Sequence, residues 1–207
     1  MATKQPTDAK QGRRRMRAPE RRAQLLDVAR RVFGNSGFHG VSMEDVAKEA
    51  GITKPILYDH FSSKKDLYLA LLDADLADLH EKVREALDSP AGNRERIRRS
   101  FQAYFQFVHE QAEGFRLMMQ ETVGAEKDFR ARVERFRAQT VSEVADLIQR
   151  ESAGRLDREG AEIVALALIG MAETAAQRDP AASEARRQAA IDLLVQLAWR
   201  GITELQP

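Results

Sequence analysis

The four histidines, His39, His60, His80 and His109, stand at least 20 residues apart. None therefore forms the i, i+4 pair of a helical zinc site. His80-Glu81 and His109-Glu110 read as surface dyads on helices. There are no cysteines, which excludes disulfides, thiolate nucleophiles and Cys-ligated metals. No glycine-rich phosphate loop occurs, and no Ser, His and Asp set stands at a recognised spacing. The expectation is a protein that is not an enzyme and carries no cofactor or metal. The constellation with a mechanism is the polar, cationic and aromatic run Lys54, Pro55, Ile56, Tyr58, Asp59 and His60. Presented on one helix face, a cation can hydrogen-bond the guanine edge and small apolar groups can touch a thymine methyl.

The elements that must position this run are legible around it. Ser42 can cap a helix, with Asp45 three residues on completing a capping box. The helix Met43–Ala50 stops at Gly51, the residue that most easily takes the positive φ of a helix end. Thr53 can cap a second helix, with Pro55 in its first turn, where an N–H is not needed. Val46, Ala47, Ala50, Ile52, Leu57 and Phe61 pack the two helices together and leave the polar run outward. So tight a turn between short helices is a helix-turn-helix, whose second helix is sized for the DNA major groove.

Residues 20–70 resemble the DNA-binding domain of the TetR family of bacterial transcriptional regulators. The landmarks are Ala29, Phe33 and Gly37, then VSMEDVAKEAG, ITKPILYDHF and SSKKDLYLALL. The resemblance implies that Lys54, Pro55 and Tyr58 meet bases, that Ser42, Thr53, His60 and Lys64 hold phosphates, and that Ile56 does either. Asp59 departs from the bulky residue often found there, and Glu44 stands where some members place a cation. Packing under the first helix is the alternative role for Tyr58, and a solvated helix start is the alternative for Lys64 and Lys65.

Charge is divided along the chain. Residues 1–65 carry 14 Lys and Arg against 7 Asp and Glu, the remainder 19 against 25, giving +7 and −6 and the overall +1. A basic front and acidic back fit a DNA-binding module on a separate regulatory body. Residues 1–18 are basic with little apolar content and are expected to form a flexible arm, either reaching the minor groove or merely solubilising. No apolar run approaches the ~20 residues needed to span a bilayer, and the N-terminus has no signal-peptide core. A cytoplasmic protein without membrane contact is expected.

The rest of the chain reads as helix, with no sustained period-two alternation, so the fold class is all-α. Leu25, Leu26, Ala29, Val32 and Phe33 mark a first helix ended by Gly34 and Gly37, with Phe38 and Val41 plugging the core. Residues 19–65 form the DNA-binding domain. A long helix from Lys64 to Leu87 then leads into a helical ligand-binding and dimerisation domain over 66–207. Its expected helices cover 94–111, an apolar piece at 115–119, 126–151, 158–176 capped by Asp157, and a last one opened by Asp179-Pro180.

The family resemblance further implies a small apolar effector among the middle helices. Phe101, Phe105, Phe115, Met118, Met119, Phe129 and Phe136 would line its site, although a Phe and Met stripe at helical spacing equally describes a core. FRLMM, ALIGM and LAWRGI are similar to the actinobacterial regulators of fatty-acid synthesis, which respond to long-chain acyl-CoA. Arg98, Arg99 and Arg116 could meet an anionic head group or form surface ion pairs. Ile163, Leu166, Ile169, Gly170, Leu194, Leu197, Ala198 and Trp199 would form a two-fold homodimer interface. The expected function is a regulator, a repressor whose affinity for double-stranded operator DNA changes with the effector. A transcriptional activator of lipid metabolism genes, or a lipid- or drug-binding protein with a non-functional helix-turn-helix, is the alternative.

Overall fold

A computed structural model of the chain describes residues 17–110 and 127–204. The basic arm up to residue 16 and the apolar piece 115–119 lie outside these residues. The described elements are eight helices: α1 (Ala18–Gly40), α2 (Met43–Glu49), α3 (Lys54–His60), α4 (Lys64–Leu87), α5 (Asn93–Glu110), α6 (Lys127–Glu151), α7 (Arg158–Arg178) and α8 (Glu184–Glu204). The all-α expectation holds, with no strand among the described residues.

Local chemistry sets most of the boundaries. Gly37, at φ 72°, interrupts the helical path of α1. The chain after it turns Phe38 back against Phe33 and Tyr68, and Val41 is buried. At α2 the capping box is reciprocal: Ser42 Oγ accepts from the Asp45 N–H, and the Asp45 carboxylate accepts from the Ser42 N–H at 2.8 Å. Those bonds hold the Asp45 carboxyl below its usual range. Gly51, at φ 65°, closes α2 with paired bonds, its own N–H to Lys48 O and the Ile52 N–H to Ala47 O. Ser63 caps α4 through the Asp66 N–H, and Asp157 caps α7 through the Gly160 N–H.

Two expected caps are corrected. Thr53 precedes α3 but makes no side-chain capping bond. Asp179-Pro180 does not open the last helix. Asp179 closes α7, and the Ala182 N–H donates to Asp179 O at 3.0 Å, so Pro180 sits inside a turn and α8 starts at Glu184. Proline's fixed φ suits the second position of such a turn as well as a helix start.

Burial divides between two cores threaded by α4. Leu67, Tyr68 and Leu71 of α4 join Leu25, Phe33, Val46, Leu57 and Phe61 in the first. One long side chain, Phe129 in the first turn of α6, reaches this core from the other part of the chain. Further along α4, Leu79 and Val83 join Phe101, Phe105, Ala145, Ala165 and Val195 in the second. One rigid element therefore carries the two cores, and α6 touches both.

Candidate nucleic-acid interface and internal cavity

On α3, Leu57 is fully buried while Lys54, Pro55, Ile56, Tyr58 and Asp59 are exposed. Tyr58 is 44 % exposed, so it does not pack under α1. His60 is half-buried at the carboxyl end, where the Arg22 guanidinium donates to its carbonyl at 3.3 Å and lies over the Phe61 ring. That contact supplies a donor to a carbonyl which the end of a helix leaves unpaired. Ser42 and Thr53 are exposed at the starts of α2 and α3. Ser42, Thr53, Lys54, Pro55, Ile56 and Tyr58 are thus all exposed to solvent.

Lys64 is placed differently. Its ammonium donates to Phe38 O at 2.8 Å and Val41 O at 2.9 Å, and it sits 4.5 Å above the Phe38 ring. Lys64 thereby clamps the start of α4 to the α1–α2 junction, at a position to which the resemblance assigns a phosphate contact. Lys65 pairs with Asp128 at 2.7 Å, again tying the start of α4 to α6.

Within the second core a cavity of about 280 Å³ opens between α4, α5, α6, α7 and Trp199 of α8. Its apolar wall includes Leu79, Val83, Ile97, Phe101, Phe136, Val144, Ile148, Leu168 and Ala172. Along α5 it is bordered from Asn93 to Tyr104, roughly 16 Å at 1.5 Å per residue. One border holds Arg96, paired with Glu151 at 3.0 Å, and Arg155. The other holds Tyr104 and the Arg137–Glu173 pair at 3.1 Å. Burial raises the Tyr104 hydroxyl well above the phenol range despite its bond to Gln177, and burial likewise raises the Glu173 carboxyl against the pull of Arg137.

Of the expected effector residues, Phe101 and Phe136 line this cavity. Phe105 is buried in the second core but is not part of the wall. Phe129 belongs to the first core, against Phe38 and Tyr68. Phe115, Met118 and Met119 lie outside the described residues, as does Arg116. Arg98 pairs with Asp192 and Arg99 with Glu95, the ion-pair alternative. Ser100, Tyr104, Thr140 and Glu173 are cavity residues that the sequence reading did not single out. They fall on the same helical faces as Phe101, Phe136 and Ile169, which is the signal that was available.

The expected dimer residues also divide. Ile163, Leu166 and Leu197 are exposed at 61 %, 46 % and 63 %, and so is the unanticipated Leu193 at 68 %. Gly170 has open space where a side chain would project. Ala198, by contrast, is buried within the protomer beside Val195 and Ile191. Ile169 and Trp199 line the cavity, and Leu194 is half-buried against the second core. Among the described residues no group of three or more His, Asp or Glu could hold a metal ion, and no helix is long and apolar enough to cross a membrane.

A helix-turn-helix with a solvent-facing second helix, joined by a continuous helix to a body with an apolar cavity, defines a ligand-responsive DNA-binding transcriptional regulator. The chain belongs to the TetR family: residues 25–71 match the bacterial regulatory proteins, tetR family, and residues 93–201 match the tetracyclin repressor-like C-terminal domain. The HTH-type transcriptional activator FasR of Mycolicibacterium smegmatis is 33% identical over 206 residues, 98% of this chain and 92% of the relative. A TetR-like transcriptional regulator from Rhodococcus sp. RHA1 is 31% identical, with a TM-score of 0.71 over 92% of this chain and 100% of that one. The fatty acid degradation regulator FadR from Bacillus halodurans shares the fold, at a TM-score of 0.73 and 16% identity over 90% and 98% of the two chains.

Proposed function

We propose that this protein is a homodimer that binds operator DNA through α3 and the starts of α2 and α3, and that an acyl-chain effector in the cavity sets its DNA affinity. The observation that carries the reading is the cavity's position. Its walls include α4 and α6, and these are the two helices that also enter the DNA-binding core, through Leu67, Tyr68 and Leu71 of one and Phe129 of the other. An occupant that separates α4 from α6 moves the recognition helix with them. Two half-sites lie about 34–36 Å or a multiple apart, so a small change in spacing between the two recognition helices penalises simultaneous binding.

The apolar wall and narrow volume favour a chain over a broad ring system, since each buried CH₂ contributes about 0.8 kcal/mol. The similarity of FRLMM, ALIGM and LAWRGI to regulators of fatty-acid synthesis supports a long-chain acyl-CoA. The relative's name supports activation, the alternative to repression. The cytosol is the compartment in which DNA and an acyl-CoA are both available.

The test is fluorescence anisotropy on DNA upstream of the protein's own gene, titrated with acyl-CoAs of increasing length. Coupling of about 1–3 kcal/mol is expected, a 5- to 150-fold change in DNA affinity that depends on chain length. A response that ignores chain length would overturn the acyl assignment. Absence of any sequence-preferring complex would overturn the regulator reading itself.

A further inference from the structure

The two borders of the cavity differ in charge. At one, Arg137 is matched by Glu173; at the other, Arg96 is matched by Glu151. Arg96 is also spent on the fold, donating to Ser89 O and to the Asn93 side chain at 2.9 Å each. Bonds from Asn93 and Arg96, with the charges of Arg96 and Arg150, hold the Glu151 carboxyl below its usual range. Arg155 is left over at this border. It lines the cavity and is exposed, and among the described residues no carboxylate pairs with it. Its Nε donates to Ser152 O at 3.0 Å, a bond that uses neither of its two terminal nitrogens. The next carboxylate along, that of Asp157, accepts from the Gly160 N–H instead.

The loop between α6 and α7 fixes this arginine. Ala153 and Gly154 both take left-handed backbone, at φ 51° and 82°. Glycine adopts that conformation freely, whereas for alanine it is strained. Ala153 is the one non-glycine residue with a positive φ among those described. Ser152, buried, gathers the turn: its carbonyl accepts from the Arg155 N–H and Nε, and its hydroxyl accepts from the Leu156 N–H. Backbone strain persists where the surroundings enforce it, and it collects at ligand clamps.

We propose that Arg155 holds the anionic head group of the effector, a phosphate or a carboxylate, so that the acyl chain lies along α5 with its tail toward Tyr104. This rests on the acyl reading above and adds the direction of the ligand. A guanidinium suits either anion, because its nitrogens donate in parallel to two oxygens. The apolar wall between the borders then receives only the chain, and no charge is buried there without a partner.

Trp199, the one tryptophan of the chain, lines the cavity, so its fluorescence reports occupancy. The full-length protein is titrated with hexadecanoyl-CoA, hexadecanoate and hexadecan-1-ol, which share a chain and differ in the head. Wild type is expected to bind at least one of the two anions more tightly than the alcohol. Arg155→Gln should weaken that anion about 3- to 10-fold, a charged hydrogen bond partly screened by solvent, and leave the alcohol within about twofold. Arg155→Glu should weaken it further, and Arg155→Lys should keep most of the affinity. Arg137→Gln, at the opposite border, should leave the anion unchanged. A response of the ester alone assigns the site to the coenzyme phosphates, and a response of hexadecanoate assigns it to a carboxylate. Anions bound no tighter than the alcohol, an undiminished Arg155→Gln, or a loss shared equally by the alcohol would each overturn the inference and leave the acyl reading intact. A loss in Arg137→Gln in place of Arg155→Gln reverses the ligand and overturns it too. If none of the three binds wild type, the acyl reading falls and this inference with it. Circular dichroism checks folding, and Arg155→Glu is read alone should Arg155→Gln fail to fold.

Discussion

The rings of Tyr68 and Phe129 meet edge to face with centroids 5.0 Å apart. Tyr68 is in the second turn of α4 and Phe129 in the first turn of α6. With Phe38 and Phe33 they form a continuous aromatic cluster in the DNA-binding core. Phe129 is 2 % exposed and distant in sequence from every other member. Phe129→Ala should cost about 3–5 kcal/mol of stability, as for other buried phenylalanines. It should also weaken effector control of DNA binding while leaving effector affinity within about twofold. Thermal melting and paired titrations of effector and operator check both parts.

Lys64 gives a contrasting expectation. Its two carbonyl contacts make it a structural clamp. Lys64→Met should lower stability by about 1–2 kcal/mol, reduced from the usual value for a charged hydrogen bond by the solvent that still reaches it. The slope of log affinity against log salt should stay unchanged. A slope falling by about one unit would instead return Lys64 to phosphate binding.

On α3 the side chains that face outward are free to meet bases. Tyr58→Ala and Lys54→Ala should each cost about 1–3 kcal/mol on the cognate site and narrow the gap between cognate and altered sites. Binding to a panel of single-base operator variants measures that gap. An undiminished preference in Tyr58→Ala would show that α3 enters the groove on another face.

How far the sequence carried these assignments depends on what periodicity can and cannot express. Capping residues and glycines mark ends, so Ser42, Gly51 and Asp157 placed their helices correctly. Asp179-Pro180 did not, because the same pair also builds a turn. Helical spacing says that a side chain points inward without saying into which core. Phe129 and Phe136 lie two turns apart on α6, yet one enters the DNA-binding core and the other the cavity wall. Phe101 and Phe105 both belong to the second core, yet Phe101 also lines the cavity and Phe105 does not. Nothing in the local sequence around Lys64 reveals that Phe38 and Val41 present carbonyls to it.

Glu173 supplies a pH prediction. Burial favours its neutral form, so the folded chain holds this proton more tightly than the unfolded one. The associated stability is present below the ordinary value of 4.5 and is lost as pH rises through the higher folded value. Glu173→Gln removes the charge while keeping the shape. Its partner Arg137 is half-exposed, so breaking that pair costs little. The variant should melt about 1–3 °C higher than wild type at pH 7, allowing for the solvent that reaches the carboxylate, with the difference vanishing near pH 4. A variant less stable at pH 7 would mean that the ion pair outweighs the desolvation.

The last prediction concerns assembly. Leu193 and Leu197 stand one turn apart on α8, and Ile163 and Leu166 share a face of α7; all four are exposed. Gly170 continues the α7 face with open space above it. Isolated surface leucines are ordinary, but four large apolar side chains on adjacent helices form a patch of the kind that marks an interface. A two-fold axis suits it, because the same face then serves both copies. One recognition helix alone contacts few base pairs, so two half-sites require such a pairing. Ala198, buried beneath this surface, should be excluded from the contact, and Leu193 should be part of it. The double variant Leu193→Asp with Leu197→Asp should therefore sediment as a folded monomer at micromolar concentration and lose specific operator binding by at least about 10-fold, since each charge would be buried without a partner. Wild type sedimenting as a monomer at that concentration, or the double variant remaining a dimer, would remove this face from the assembly.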